Sequence, residues 1–471
     1  MNQASSTIVW FRDDLRVADN PALCAAMASG PTTALFILDE QSPGVRPLGG
    51  AAKWWLHHAL NELRESLAGL GVPLLLRRGA AAEVLPGLLA ADGISTMHWN
   101  RRYGGAERAV DATAKKLATD AGLEAHSHAG TLLHEPWTVL TQDSRNFKVF
   151  TPFFNALQRL PMRPVLDRPE AQEPVTTELT SEKLDDWGLL PSAPDWSHGL
   201  AAAWVPGEAA ARDRLGVVLE EIAGDYATSR DRPDTDGTSR LSAALRWGHL
   251  GPVEVWETLS RMLRVHPERA EGTRALMRQL VWRDFCWNLL YHYPDLATRN
   301  LRSEFDAFDW AWPGSSVNRG PEETTAARHF KAWCDGSTGY GLVDAGMKQL
   351  WETGWMHNRV RMVTASFLVK NLGIHWQVGE EWFWDTLVDA DAASNPANWQ
   401  WVAGCGADAS PFVRVFNPLL QAKKFDPHGS YIDRFVPYSK VDQMVDLMAS
   451  RARALDSLAR MKETPPAETG T

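Results

Sequence analysis

Several scarcities narrow this 471-residue chain before any motif is considered. Cysteine is one: Cys24, Cys286, Cys334 and Cys405 lie far apart and form no CxxC pair. That pattern favours four reduced thiols in a cytosolic protein over a disulfide framework or a metal site. No stretch approaches eighteen apolar residues without a charge, so no membrane-spanning helix is expected. The opening residues, MNQASSTIVWFRDD, have neither a basic n-region nor a long apolar h-region, which argues against a signal peptide. Positive charge is not in excess: 48 Lys+Arg face 58 Asp+Glu, for a formal net charge of -10. Residues 1–200 and 201–471 share that deficit equally. Any nucleic-acid contact must therefore come from a local patch rather than from the global field. A GxGxxG after the first apolar run is missing, which removes the usual support for a dinucleotide dehydrogenase. There is no internal repeat.

The 44% hydrophobic and 23% charged residues that remain belong to an ordinary globular chain, long enough for two or three domains. Short apolar runs at 7–11, 33–38, 73–77 and 95–99 alternate with helically spaced segments at 20–28, 51–70, 80–91 and 105–121. This alternation predicts an α/β domain over residues 1–130, a doubly wound parallel sheet covered on both faces. Residues 131–200, rich in Pro, Ser, Thr and acids, read as an interdomain connector. From 201 to 455 the spacing is helical and predicts a larger all-α domain. Residues 456–471, ending KETPPAETGT, are polar and expected to be disordered.

Fifteen of the 22 Trp fall after residue 200, and six lie within Thr353–Trp401. A helix predicted over 355–370 places Asn358, Arg361 and Met362 on one face. Arg361 needs an anionic partner if buried, and Asp389 is the natural one; such a pair can tie two helices together and also wall a cofactor pocket. Asp391 and Asn395 follow closely. A helix carrying positive charge, a carboxylate pair and so many indoles suggests a buried aromatic cofactor. Any single indole, however, is core filling by default, and spacing alone proves no electron relay. Gly237–Ser242 sets hydroxyls and Arg240 at a predicted helix start, where a phosphate is favoured; an ordinary N-cap by Thr238 or Ser239 is the stronger explanation there on local grounds.

IVWFRDDLRVADNPAL, WNRRY, GTSRLSAAL, QLVWRDF, TGYGLVDAGMKQL, TGWMHNRVRMVTASFLVK, NWQW and RVFNPLLQAKKFDPHGSYI together resemble the photolyases of the cryptochrome/photolyase family, from the first strand to about Pro437. The most similar group is the bacterial class I cyclobutane pyrimidine dimer photolyases. The resemblance implies an antenna-type α/β domain, a helical domain holding FAD in a U-shape, and light-driven repair of UV-damaged DNA. An electron from photoexcited reduced FAD would split a dimer flipped out of the duplex. Tyr226, Thr238, Ser239, Arg240, Leu241 and Ser242 match the family's FAD phosphate and ribose contacts. Trp355, Arg361, Asp389, Asp391 and Asn395 match the surroundings of the isoalloxazine, with Asn395 near N5. Trp399, Trp376 and Trp310 match the relay that carries electrons inward.

On the substrate side, Trp282 and Trp401 match aromatics that pack on the dimer. Asn358 and Met362 match helix positions that face it, where six-four photolyases carry a His pair. Arg230, Arg359, Gln421 and Lys423 match strand contacts. Gln279 stands where dimer photolyases usually have Glu, so it can form hydrogen bonds but cannot carry charge or pass a proton. Glu107 matches a position associated with a folate antenna, while Ala106 and Thr298 depart from it; the second chromophore implied is methenyltetrahydrofolate or an 8-hydroxy-deazaflavin. A cryptochrome-type photoreceptor and a six-four photolyase are the alternative functions. The expected protein is a cytoplasmic, nucleoid-accessible monomer with no membrane contact.

Overall fold

The computed structural model describes residues 6–90, 93–312, 324–409, 412–437 and 441–463. In chain order the α/β layer runs β1 (Ser6–Phe11), α1 (Pro21–Ser29), β2 (Thr32–Leu38), α2 (Gly50–Ala68), β3 (Leu74–Arg78), α3 (Ala81–Leu89), β4 (Ile94–Asn100), α4 (Gly105–Asp120) and β5 (Glu124–His128). The helices that follow are α5 (Phe150–Leu157), α6 (His198–Ala203), α7 (Glu208–Val217), α8 (Tyr226–Ser229), α9 (Ser242–Arg246), α10 (Pro252–Val265) and α11 (Ala270–His292). The last are α12 (Thr325–Cys334), α13 (Gly341–Thr353), α14 (Asn358–Ser366), α15 (Trp376–Thr386), α16 (Ser394–Ala403), α17 (Pro418–Phe425), α18 (Ser430–Phe435) and α19 (Leu447–Glu463). They fall into two compact units.

Unit 1 comprises Met1–Asn146, Phe153–Gly224 and Ser239–Pro294. Its sheet is parallel throughout, in the order β3-β2-β1-β4-β5. The central strand β1 is apolar on both faces because helices cover both, and its Ile8–Phe11 run is fully buried. Asn20 starts α1 by accepting from the Leu23 N–H at 3.1 Å, with Pro21 at the first helical position. The expected doubly wound parallel sheet is present. Its edge strand β5, Glu-Ala-His-Ser-His, went unpredicted because an edge exposed on one side needs no apolar run.

The unit extends past the α/β layer to α11, so it does not end near residue 130 or 200. The reason is a set of buried polar ties. Arg16, 1% exposed, donates to the carbonyls of Asp19, Gly130 and Gly248. Gly248, at φ 67°, lies against the Asp13–Asp14 backbone where a Cβ would overlap. Asp284 of α11 accepts from the Leu133 and His134 N–H groups at 2.8 and 3.2 Å, and burial raises its carboxyl to about 7. The connector pairs with this unit too: Arg163 forks onto buried Asp19, and the Glu182 N–H donates to the Leu76 carbonyl on β3.

Unit 2 comprises Phe147–Pro152, Asp225–Thr238 and Asp295–Thr471. Its core gathers the fully buried rings of Trp333, Tyr340, Phe367 and Trp376 with the apolar faces of α13 to α16. The disordered tail expected from residue 456 is corrected here. Helix α19 continues to Glu463 because Ser450, Ala454, Leu458 and Met461, at i, i+4, i+8 and i+11, bury one stripe against the core. Residues 464–471 lie outside the described chain.

Candidate functional site

The stretch Thr353–Trp401 folds into α14, α15 and α16 and brings several of the expected residues together within unit 2. α14 begins at Asn358 rather than 355, because the His357 Nδ1 accepts the Arg359 N–H and caps it. Arg361 forms the expected fork onto Asp389, with Nη1–Oδ1 at 3.1 Å and Nη2–Oδ2 at 2.8 Å, while its Nε donates to the Met356 carbonyl. Asp389 is buried, so the bidentate geometry and the third bond are what make the charge tolerable there. Asp391 accepts from the Ala393 and Ser394 N–H groups and shapes the entry into α16. Asn395, also buried, spends its amide N–H groups on Glu380, reaching the backbone carbonyl at 3.0 Å and Oε1 at 2.7 Å. Its Oδ1 is thereby aimed away from Glu380 and is the atom available to a further donor. Glu380 went unpredicted, since the sequence offers nothing to separate it from adjacent Glu381. Trp355 is buried beside Arg361, its ring 5.9 Å from the guanidinium carbon.

α14 also reaches a second feature. Arg359, one turn before Val363, borders a groove of about 200 Å³ with Asp231, Arg414, Gln421, Lys424 and Phe425. Its Nη2 donates to Asp231 at 2.7 Å and its guanidinium stacks 4.4 Å from the Phe425 centroid. Gln421, expected as a strand contact, lines this groove. Lys424 of α17 lines it too, whereas the neighbouring Lys423 does not. Arg230 also lies apart from the lining, resting 5.7 Å from the Tyr226 ring. Asn358 and Met362 share the outer face of α14, Nδ2 to Sδ 4.0 Å. Trp401, partly buried, packs on the edge of the core.

The three relay candidates are buried in the same unit but not in one line of ring contacts. Trp376 donates its Nε1–H to Asn300 at 2.7 Å, and His375 bridges it to Trp310 with centroids 5.4 and 4.8 Å away. Trp310 is itself buried. Trp399 packs edge-on to Phe383 and to Trp333 at 6.3 Å. From Trp333 a file of rings runs through Phe330 and Trp382 to Trp351, each step about 6 Å, and Trp351 is 55% exposed. Trp382 is thus a link in that file, while Trp384 is plain core. Gly379 permits the close approach of Trp399 to α15, since a Cβ there would run into the indole.

Two family models match the chain: one described as DNA photolyase over residues 7–174, and one described as the FAD binding domain of DNA photolyase over 276–459. A deoxyribodipyrimidine photo-lyase of Agrobacterium fabrum is 45% identical over 442 residues, covering 92% of this chain and 88% of that one. The chain belongs to the DNA photolyase family. A solved structure described as a bacterial class III photolyase from Agrobacterium tumefaciens superposes with a TM-score of 0.91 at 41% identity, covering 98% of this chain and 99% of that one. Cryptochrome-1 of Arabidopsis thaliana is 32% identical over 439 residues, 92% of this chain and 62% of that one.

The photolyase FAD-binding domain therefore spans the end of unit 1 and most of unit 2, and FAD is its cofactor. The donor set fits that group. A reduced flavin ring presents N–H donors that the Asn395 Oδ1 could accept, and the Arg361–Asp389 fork would offer a rigid polar wall. Tyr226, buried at the start of α8, and Thr238 belong to unit 2. Ser239, Arg240, Leu241 and Ser242 belong to unit 1. The ordinary N-cap by Thr238 or Ser239, favoured there on local grounds, is not formed. α9 starts only at Ser242, spans five residues, and has no side-chain cap from Thr238 or Ser239. What this photolyase segment offers instead is a strained backbone, Arg240 at φ 53°. On α11 of unit 1, Trp282 packs edge-on to Phe285 at 5.7 Å, and Gln279 folds an amide N–H back to the Ala275 carbonyl at 3.4 Å.

Proposed function

We propose that this member of the family repairs cyclobutane pyrimidine dimers in DNA, using light. The observation that carries the proposal is the double duty of α14: Arg359 borders the cationic groove while Arg361, two residues on, clamps buried Asp389. One helix thus joins a phosphate contact to a cofactor wall. When bound, reduced FAD excited by blue or near-ultraviolet light supplies the electron that splits the dimer. The residues do the rest. Arg359, Arg414 and Lys424 neutralise backbone phosphates without reading sequence. Asn358 and Met362 face the extruded dimer, with Trp401 and, from α11, Trp282 as stacking partners and Gln279 as a hydrogen-bonding partner. Asn395 holds its Oδ1 toward a flavin N–H because Glu380 fixes the amide's orientation. Tyr226 and Thr238–Ser242 hold the phosphate and ribose end. Trp399 hands electrons inward, with Trp376 and Trp310 as one branch.

The 41% identical structure described as class III favours that class over the class I suggested by the motifs. The domain division that serves this function remains an antenna-type layer followed by helices, with methenyltetrahydrofolate or an 8-hydroxy-deazaflavin as second chromophore and a monomer acting on cytoplasmic DNA. The test is to illuminate reduced, flavin-loaded protein with an oligonucleotide carrying one thymine dimer and to quantify the dimer. Restoration of the thymines is expected; intact dimers would remove the proposal. A cryptochrome-type photoreceptor is the second reading, favoured by Gln279. It would show light-driven absorbance changes in the same cuvette with no repair. An oligonucleotide carrying a six-four lesion, run alongside, is expected to stay unrepaired.

A further inference from the structure

The groove of unit 2 rests on two pieces of chain whose spacing is set from inside. Arg359 leaves the first turn of α14, its guanidinium fixed by Asp231 and Phe425. Arg414 leaves the irregular segment between α16 and α17, where it and Val413 are exposed. Two side chains four residues apart, beyond Arg359 on the same helical run, hold that segment. The Ser366 Oγ accepts the Phe416 N–H at 3.2 Å, and the Lys370 Nζ donates to the Arg414 carbonyl at 2.9 Å. Lys370 lies in a π-helical turn, Phe367–Asn371, that continues α14. It is 1% exposed, its amine 5.3 Å from the Phe412 centroid, and no carboxylate pairs with it among the described residues. Lysine is seldom buried without an anion, and π-turns are enriched at functional sites.

We infer that Lys370 is a positioning residue for the nucleic-acid groove: its amine fixes the backbone at Arg414 and so sets the reach of that guanidinium toward a DNA phosphate. The inference rests on the groove being the strand contact. Burial first, and the neighbouring charge of Arg414 second, lower the amine to about 7. The bond therefore passes from charge-assisted to neutral, and weaker, across the physiological range. The charged and titratable groups around it are Arg414 on the held segment and, across a cavity of about 420 Å³ that Lys370 also lines, Asp309, His329, Arg453, Asp456 and Arg460.

The experiment measures equilibrium binding of flavin-loaded, full-length protein, in the dark, to a fluorescent duplex containing one thymine dimer, from pH 6 to 9. For the unaltered protein, affinity is expected to fall several-fold between pH 6.5 and 8.5. Lys370→Met should weaken binding about tenfold at pH 6.5 and remove the pH step. Lys370→Arg should restore affinity without the step, because a guanidinium stays charged. Arg414→Ala should weaken binding and lower the salt slope by about one. The double variant Lys370→Met/Arg414→Ala should bind no worse than Arg414→Ala, since Lys370 acts only through that residue. Full additivity, or a Lys370→Met protein that binds as tightly as the parent, overturns the inference, and the unaltered protein's pH profile serves if Lys370→Met fails to fold. If Arg414→Ala and Lys424→Ala both bind as the parent does, the groove assignment itself falls.

Discussion

Arg361 and Asp389 show how much a single charged pair can reveal through its chemistry alone. A cation largely buried in a helix demands an anion, and Asp389, first of the closely spaced Asp389/Asp391 pair, is its partner at hydrogen-bond distance on both oxygens. Replacing Asp389 by Ala leaves a largely buried guanidinium unpaired, so urea denaturation should show a loss of roughly 3 kcal/mol. Glu380 shows the limit. Its importance comes from facing Asn395 across a helix pair, and nothing local distinguishes it from Glu381. Lys370 was equally silent, because burial of a lysine is a property of the packing and not of its neighbours in sequence. Its pH dependence follows from sign. The amine is lowered to about 7 in the fold, so between about 7 and 10.5 the unfolded chain holds a proton that the folded chain has released. Stability should therefore rise with pH across that window from this group, and Lys370→Met should flatten the rise in pH-resolved denaturation.

At the scale of elements, regular periodicity was legible and irregular backbone was not. Four strands and four helices of the sheet layer fall within a few residues of their expected positions, since burial on both faces writes continuous apolar runs into the chain. β5 escaped because it is polar. The helix start expected at Gly237–Ser242 is there, with α9 beginning at Ser242, but the brevity of α9 and the π-turn escaped because neither has a period to detect. The C-terminal helix was lost to composition: its charged faces outweigh a stripe of small and apolar residues. Leu458→Ala tests that helix directly. A side chain in a disordered tail would cost nothing, whereas this buried leucine should cost about 2–4 kcal/mol by thermal or urea unfolding. The aromatic elements make a second prediction. Trp399→Phe should abolish photoreduction of oxidised FAD, followed by absorbance, while leaving repair by protein reduced beforehand intact. If Trp382→Phe slows photoreduction as much as Trp376→Phe, the file ending at exposed Trp351 conducts as well as the branch through His375.

For the whole molecule, the net charge of -10 requires local rather than global attraction to DNA, and the groove proposed for it, with Arg359, Arg414 and Lys424, is local. The two-part division of the chain was readable, but the place of the cut was not, because it depends on ties between residues more than a hundred positions apart. The pairs Arg16–Gly248, Asp13–Arg246 and Leu133–Asp284 bind α9 and α11 to the α/β layer of unit 1. A fragment ending at residue 200 should accordingly be protease-sensitive, and one ending at Pro294 markedly more resistant, in limited proteolysis.

Those same ties impose an order on biogenesis. While the chain is being made, Arg16 can find Gly130 early, yet Gly248 is synthesised 118 residues later. At about 10 residues per second this leaves the nascent sheet incomplete for roughly ten seconds, with a buried cation short of a partner and the helical cover absent. The sheet layer is thus left incomplete on the ribosome long before the residues beyond Pro294 have been translated, and slowing translation between residues 130 and 250 should be felt as lost yield rather than lost activity.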